Sequence, residues 1–282
     1  MELSKDLMAR QEARNLCEQA LKAQQILSQM SQEQLDAICK AVAESFQKEA
    51  ASLAKQAVAE TGFGNEEDKT EKNRFASKAV YEAIKDWKCV GVLKEDAREK
   101  LWEVGVPVGV IGAIVPSTNP TSTVCYKALI ALKSGNTIVF SPHPKAINCT
   151  LHAVQVVAQA ARQAGAPEGA VSCLTAGSMA GCQELMAAPQ VSLLLATGGP
   201  AMVRACYSSG KPAIGVGAGN GPAYIHPSAD IPHALSCIAK SKNFDYGTIC
   251  ASEQSIIVEK SLEKAVLEEG RRQGFYLMNE EE

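Results

Sequence analysis

Hydrophobic positions change their period three times along the chain. Over residues 2–59, Leu3, Leu7, Leu16, Ala20, Leu21 and Leu27 recur mostly at three- and four-residue steps, the spacing of one helix face. Ser31 with Gln34 makes a capping-box pair just ahead of Leu35, Ile38, Val42 and Phe46. Thr61-Gly62-Phe63-Gly64-Asn65 closes that region, and another helix is expected over 67–87. Val90, Val92, Leu101, Glu103 and Val104 then flank a polar tip, Lys94 to Lys100, which reads as a long hairpin.

From Val106 onward, short apolar runs at 108–115, 137–140, 171–174, 192–196 and 213–216 alternate with helical stretches at 122–133, 147–164, 179–187 and 201–209. Strands that are apolar on both faces and alternate with helices predict a parallel sheet covered on both sides, a doubly wound α/β fold. After Pro222 come a short strand at 224–225, a helix at 230–242, a strand at 255–258 and a last helix at 261–273. This pattern divides the chain into a domain over 1–227, with its N-terminal helices, and the start of a second over 228–282. The second has too few residues to close a core of its own.

Composition narrows the function. With 282 residues, 46% hydrophobic and 21% charged, the chain is long enough for one large or two ordinary globular domains. A net charge of −3 gives no basic face for nucleic acid, and few aromatics are present to stack bases. No apolar run approaches a membrane span, and the charged N-terminus has no signal core. Ten cysteines lie scattered without C-x-x-C spacing, and the four histidines are not in metal-ligand order with them. We therefore expect reduced thiols, no metal and a cytoplasmic location.

Three loops beyond strand ends carry polar or glycine chemistry, where doubly wound sheets place ligands. Pro116-Ser117-Thr118-Asn119-Pro120 follows the first strand. Thr197-Gly198-Gly199 enters a helix and offers free N–H groups to a phosphate. GVGAGNGP, beginning Gly215-Val216-Gly217, follows the fifth. Further on, Cys250 sits behind Tyr246-Gly247-Thr248 and ahead of Ala251 and Ser252, small residues that leave a thiol open to substrate. A lone cysteine is more often core filler than nucleophile, and Asn119 beside Pro120 is an ordinary turn residue.

In their order, the runs from Val115 to Ser122, Ser134 to Ala146, Leu195 to Gly199, Gly215 to Ile225 and Phe244 to Ser255 resemble the aldehyde dehydrogenase superfamily. They resemble most its CoA-acylating branch, the acetaldehyde dehydrogenases of ethanolamine use and of bifunctional aldehyde/alcohol dehydrogenases. The resemblance implies a Rossmann-type cofactor domain followed by the beginning of an α/β catalytic domain. It also implies that family members run well past residue 282, so the chain reads as their N-terminal portion.

By that resemblance Cys250 is the nucleophile, Asn119 and backbone N–H groups steady the oxyanion, and NAD takes the hydride. Pro116, Ser117, Thr118, Ser141, His143, Thr197, Gly198, Gly199, Gly215, Val216 and Gly217 would contact the cofactor. Two departures carry information. Hydrolytic members place a Glu in the loop matching 215–222, at Val216 without gaps, to activate water; this loop has no carboxylate. That points to coenzyme A as acyl acceptor, although a hydrolytic enzyme, an acyl-phosphate reductase and a non-catalytic nucleotide-binding fragment remain alternatives. The Lys and Glu that hold the adenosine ribose in hydrolytic members are replaced by Ser141-Pro142-His143-Pro144, which leaves NAD versus NADP open. The expected partners are a short-chain aldehyde such as acetaldehyde, CoA, further copies of the same chain, and an alcohol dehydrogenase or a bacterial microcompartment shell. The first helix is either a tail for such a shell or an amphipathic helix packed on its own domain.

Overall fold

A computed structural model describes residues 4–282, so Leu3 of the first apolar series lies outside it. Contacts divide the chain into two compact units, one ending at Gly217 and one spanning Ala218–Glu282.

The first unit begins with three helices, α1 (Lys5–Leu27), α2 (Gln32–Lys48) and α3 (Ala50–Thr61). The expected capping box opens α2: Gln34 N–H donates to Ser31 Oγ at 3.4 Å, and Ser31 N–H to Gln34 Oε1 at 2.9 Å. The leucine stripe expected on α1 is corrected. Leu7 and Leu21 are exposed, and the buried face is Ala9, Ala13, Cys17, Ala20 and Ala23 with Leu27. Small side chains let α1 lie close against α8 (Met179–Ala187), where Arg10 and Arg14 reach Glu184 at 3.3 and 2.6 Å. The helix expected over 67–87 is also interrupted. It runs as α4 (Glu66–Arg74), one π-helical turn (Phe75–Ala79) and α5 (Val80–Ile84). The predicted hairpin forms from antiparallel β1 (Gly91–Asp96) and β2 (Leu101–Gly105), with Leu93, Leu101, Trp102 and Val104 exposed.

The parallel sheet contains β3 (Val110–Ile114), β4 (Thr137–Ser141), β5 (Val171–Cys173), β6 (Val191–Thr197) and β7 (Ala213–Val216) in the order β5-β4-β3-β6-β7. Every residue of β3 and β4 is buried. Alternate positions supply the two faces. Ile111, Ala113, Ile138 and Phe140 pack with residues of α6 (Pro120–Lys133) and α7 (Ile147–Gln163). Val110, Ile114, Val139 and Leu194 pack with α1 and α8. Helix α9 (Pro200–Tyr207) lies against β6 and β7. Strand order reverses between β3 and β6, the position where doubly wound sheets open a crevice at their carboxyl ends.

The second unit is built on a parallel pair, β8 (Gly221–Ile225) and β9 (Glu253–Val258), with α10 (Ile231–Asn243) and α11 (Glu263–Arg272). Ile225, Leu235 and Val266 form its small core. β8 pairs with β9, so this compact unit takes in the chain from Ala218. Among the described residues no helix is long and apolar enough to cross a membrane, and no group of three His, Cys, Asp or Glu side chains is placed to hold a metal ion.

Candidate active site

In the first unit a cavity of about 450 Å³ opens at the carboxyl ends of β3, β4 and β6. Of the residues singled out in the sequence, it brings together Pro116, Ser141, His143, Thr197, Gly198 and Gly199. Ser117, Thr118, Gly215, Val216 and Gly217 do not line it. Gly215 has a packing reason of its own: a Cβ there would lie 2.6 Å from Val203 Cγ1 on α9.

The opposite wall of the cavity escaped the sequence reading. Met179, Cys182 and Met186 on α8 face Met202 on α9 and make an apolar slot. Their spacing along α8 looks like an ordinary core face, so periodicity carried no signal for them. Burial raises the Cys182 thiol pKa, which keeps it protonated. At the polar end, His143 Nδ1 accepts the Lys145 N–H at 3.1 Å. Burial, helped by the charge of Lys145, lowers the His143 pKa, so a neutral ring faces the cavity. Gly199 caps α9 without a side-chain hydrogen bond, and Pro200 takes the first helical position. A Cβ at Gly198 would meet nothing nearer than Met202 Cβ at 3.6 Å, and one at Gly199 nothing within 4 Å. Neither glycine is demanded by protein packing, so their bare surface is left for whatever occupies the cavity.

Lys127, on α6, fixes the floor beneath this crevice. Its Nζ donates to Ile114 O at 2.9 Å and Leu195 O at 2.8 Å, tying the ends of β3 and β6 together. Burial lowers its pKa to about 7.

Asn119 precedes α6 and holds a non-helical backbone, φ −139° and ψ 57°. Its Oδ1 accepts from Lys72 Nζ at 2.7 Å, and Lys69 Nζ donates to Thr118 O at 2.8 Å. Both lysines are buried and both belong to α4. From the sequence, α4 was read only as a helix with no role. The overlooked signal is the group Lys69, Lys72 and Asn73, at i, i+3 and i+4, which shares one face of a short helix.

Cys250 lies in the second unit and is exposed. The chain reaches it through Asp245, Tyr246 and Gly247, three consecutive residues with φ of 51°, 54° and 72°. Left-handed backbone at two non-glycine residues costs about 1–2 kcal/mol each, and such strain concentrates at functional segments. Asp245 is fully buried while Tyr246 is exposed, so the turn anchors one side chain and leaves the other in solvent. Past the cysteine, Ser252 is buried and its Oγ donates to Ile249 O at 3.1 Å, closing the loop under Cys250. Gly219 comes so near that a Cβ on it would lie 1.7 Å from the Cys250 carbonyl oxygen. The carboxylate-free glycine loop is therefore packed directly against the backbone of the cysteine.

Residues 5–273 match the aldehyde dehydrogenase family. The bifunctional aldehyde-alcohol dehydrogenase AdhE of Escherichia coli K12 is 48% identical over 267 residues, which is 95% of this chain and 30% of that protein. An acetylating aldehyde dehydrogenase from Geobacillus thermoglucosidasius superposes with a TM-score of 0.95 at 52% identity, covering 99% of this chain and 62% of that one. A Rhodopseudomonas palustris propionaldehyde dehydrogenase, solved with bound CoA and an acylated cysteine, gives a TM-score of 0.81 at 32% identity over 95% of this chain and 61% of that one. The chain thus spans less than a third of the AdhE relative and under two thirds of these solved chains. A family match over nearly the whole sequence, carried on the same fold, means that the chain belongs to the aldehyde dehydrogenase family.

Proposed function

We propose that the intact protein oxidises a short-chain aldehyde such as acetaldehyde and passes the acyl group to coenzyme A. The observation that carries this reading is the glycine loop lying against Cys250 through Gly219 without a carboxylate. A thioester on Cys250 would find no general base in that loop to activate water, and water is a poor nucleophile at neutral pH. A CoA thiol, with far more thiolate character, needs no such base. The E. coli relative's bifunctional name, the acetylating Geobacillus enzyme, and the CoA and acylated cysteine of the Rhodopseudomonas structure support the same chemistry.

The dinucleotide fits the first unit's cavity. The methionine-lined slot between α8 and α9 suits a flat apolar ring, Ser141 and His143 suit ribose hydroxyls, and Gly198 and Gly199 leave room for a pyrophosphate at the start of α9. When bound, NAD supplies the hydride acceptor. The chain's own residues do the rest. The Cys250 thiolate adds to the aldehyde carbon. By the family resemblance, the Asn119 amide and the Cys250 N–H are the donors to the resulting oxyanion, whose collapse with loss of hydride leaves a thioester. The CoA thiolate then adds to that carbonyl and Cys250 leaves as the thiolate, so sulfur replaces sulfur with no change in oxidation level.

The exposed apolar side chains of the β1–β2 hairpin suit a surface covered in a homo-oligomer. An alcohol dehydrogenase partner follows from the bifunctional relative. A microcompartment location rests on one relative, a propionaldehyde dehydrogenase of the Clostridium phytofermentans fucose utilisation microcompartment, and is tested by enrichment in purified shells. Helix α1 packs within its own unit rather than standing free as a tail.

The deciding experiment follows NADH from the intact protein with and without CoA. We expect a burst near one equivalent per site without CoA and sustained turnover with it. Steady release of free carboxylic acid without CoA would overturn the acylating assignment.

A further inference from the structure

We propose that Lys72 is a positioning residue that fixes the Asn119 amide in its donating orientation; this rests on the oxyanion role given to Asn119 above. Helix α4 is unusual in what it buries. Its outward residues are Glu66, Glu67, Glu71 and Arg74, while Lys69, Lys72 and Asn73 are turned inward. Burying ammonium groups is costly unless they find acceptors. Here the face meets one short segment, 118–121. Lys69 takes the Thr118 carbonyl and Lys72 takes Asn119 Oδ1. Asn73 accepts from Thr121 Oγ1 at 2.8 Å and donates to Ala50 O at 2.9 Å. The π turn begins two residues later, and its Ser77 Oγ donates to Asn73 O at 2.8 Å. Three residues around the start of α6, Thr118, Asn119 and Thr121, are thus clamped by a single helix, which is itself braced from α3.

The chemistry of the Lys72 contact determines which way the amide faces. An ammonium has three donors and no acceptor, so the Asn119 atom against it must be the oxygen. The NH2 branch then points the other way, as a donor, and already donates to Thr118 Oγ1 at 3.3 Å. A flipped amide would set NH2 against the cation and offer an oxygen where an oxyanion must form. The charge also polarises the amide and makes its N–H bonds stronger donors. Donors fixed before charge develops need no reorganisation when the aldehyde carbon becomes tetrahedral. Lys72 does this without touching substrate.

The test measures single-turnover NADH formation in the intact protein carrying Lys72→Met, Lys72→Gln, Asn119→Ala, or Lys72→Met with Asn119→Ala. NADH affinity and melting temperature are followed alongside. Asn119→Ala should slow the first turnover about 10²- to 10³-fold. Lys72→Met should slow it about 10- to 100-fold with aldehyde KM and NADH affinity unchanged, as expected for a misplaced catalytic group. Lys72→Gln should fall between Met and the parent, since a neutral amide donor can still meet Oδ1. The double variant should be no slower than Asn119→Ala alone, because a residue acting only through Asn119 has nothing left to position. Multiplying losses in the double variant, or a parental rate in Lys72→Met, would overturn the positioning role and leave the oxyanion reading intact. A parental rate in Asn119→Ala removes both. If Lys72→Met does not fold, the same comparisons are read from Lys72→Gln, paired with Asn119→Ala in the same way.

Discussion

The two units solve opposite problems. The first buries β3 and β4 completely, with helices on both faces of the sheet, and its candidate cavity is a by-product of that packing. The second has three buried apolar side chains, half-exposed strands, and two consecutive non-glycine residues in left-handed backbone before its cysteine. A well-packed sheet can hold a cavity at its edge without strain, since the strand ends and helix starts needed there exist anyway. Presenting one thiol on a turn requires an unfavourable backbone, and the unit that carries it has a small core to offset the cost. In the function proposed above, cofactor binding and the Asn119 donor fall to the well-packed unit and the nucleophile to the strained one.

Breaking that division should have its largest effect at the thiol. Cys250→Ala should lower turnover by a factor on the order of 10⁶, as when other enzymes lose a nucleophile, while NADH still binds. Loss of NADH binding in this variant would show that the units do not divide the work. Next is Phe140→Ala, which removes a fully buried ring from β4. A loss of about 3–5 kcal/mol is expected in denaturant titrations, with amides of β3 and β4 losing protection from hydrogen exchange. A cost below about 1 kcal/mol would mean that the sheet is not the rigid partner.

Gly198→Val sharpens the comparison from the binding side. Because the position has room within the protein, the melting temperature should hold while NADH affinity falls about tenfold, the scale of losing a helix-terminus phosphate contact. A lower melting temperature with unchanged affinity would assign Gly198 to the fold. The smallest effect is expected at Tyr246→Gly. Relief of left-handed strain should stabilise the turn by about 1 kcal/mol at most, less the chain entropy that glycine adds. Hydrogen exchange over 244–252 should slow slightly, and the relieved turn, no longer pressing the thiol forward, should lower the NADH burst rate. A faster burst would contradict the idea that strain presents the thiol.

The amino-acid sequence by itself determined the sheet, its parallel sense and the helices between its strands. Runs such as Val110 to Ile114, apolar at every position, have stable solutions only when both faces are covered, and that rule is local enough to read from the chain. It also singled out the loops that hold Asn119, Gly198 and Cys250, because glycine, proline and small-residue punctuation is local too. Only the tertiary structure decided the remainder. Mainly alanines, with Leu27 at the far end, face inward on α1, since the limit is how near α8 can come. Met179 and Met202 share a slot, since two crossover helices lie side by side. Gly219 must be glycine, since the carbonyl of Cys250, thirty-one positions later, occupies the space of its Cβ. Lys72 faces Asn119 across forty-seven residues of chain. Each of these depends on the distance between two backbones that are remote in sequence, and hydrophobic periodicity records which face turns inward but not what it will meet.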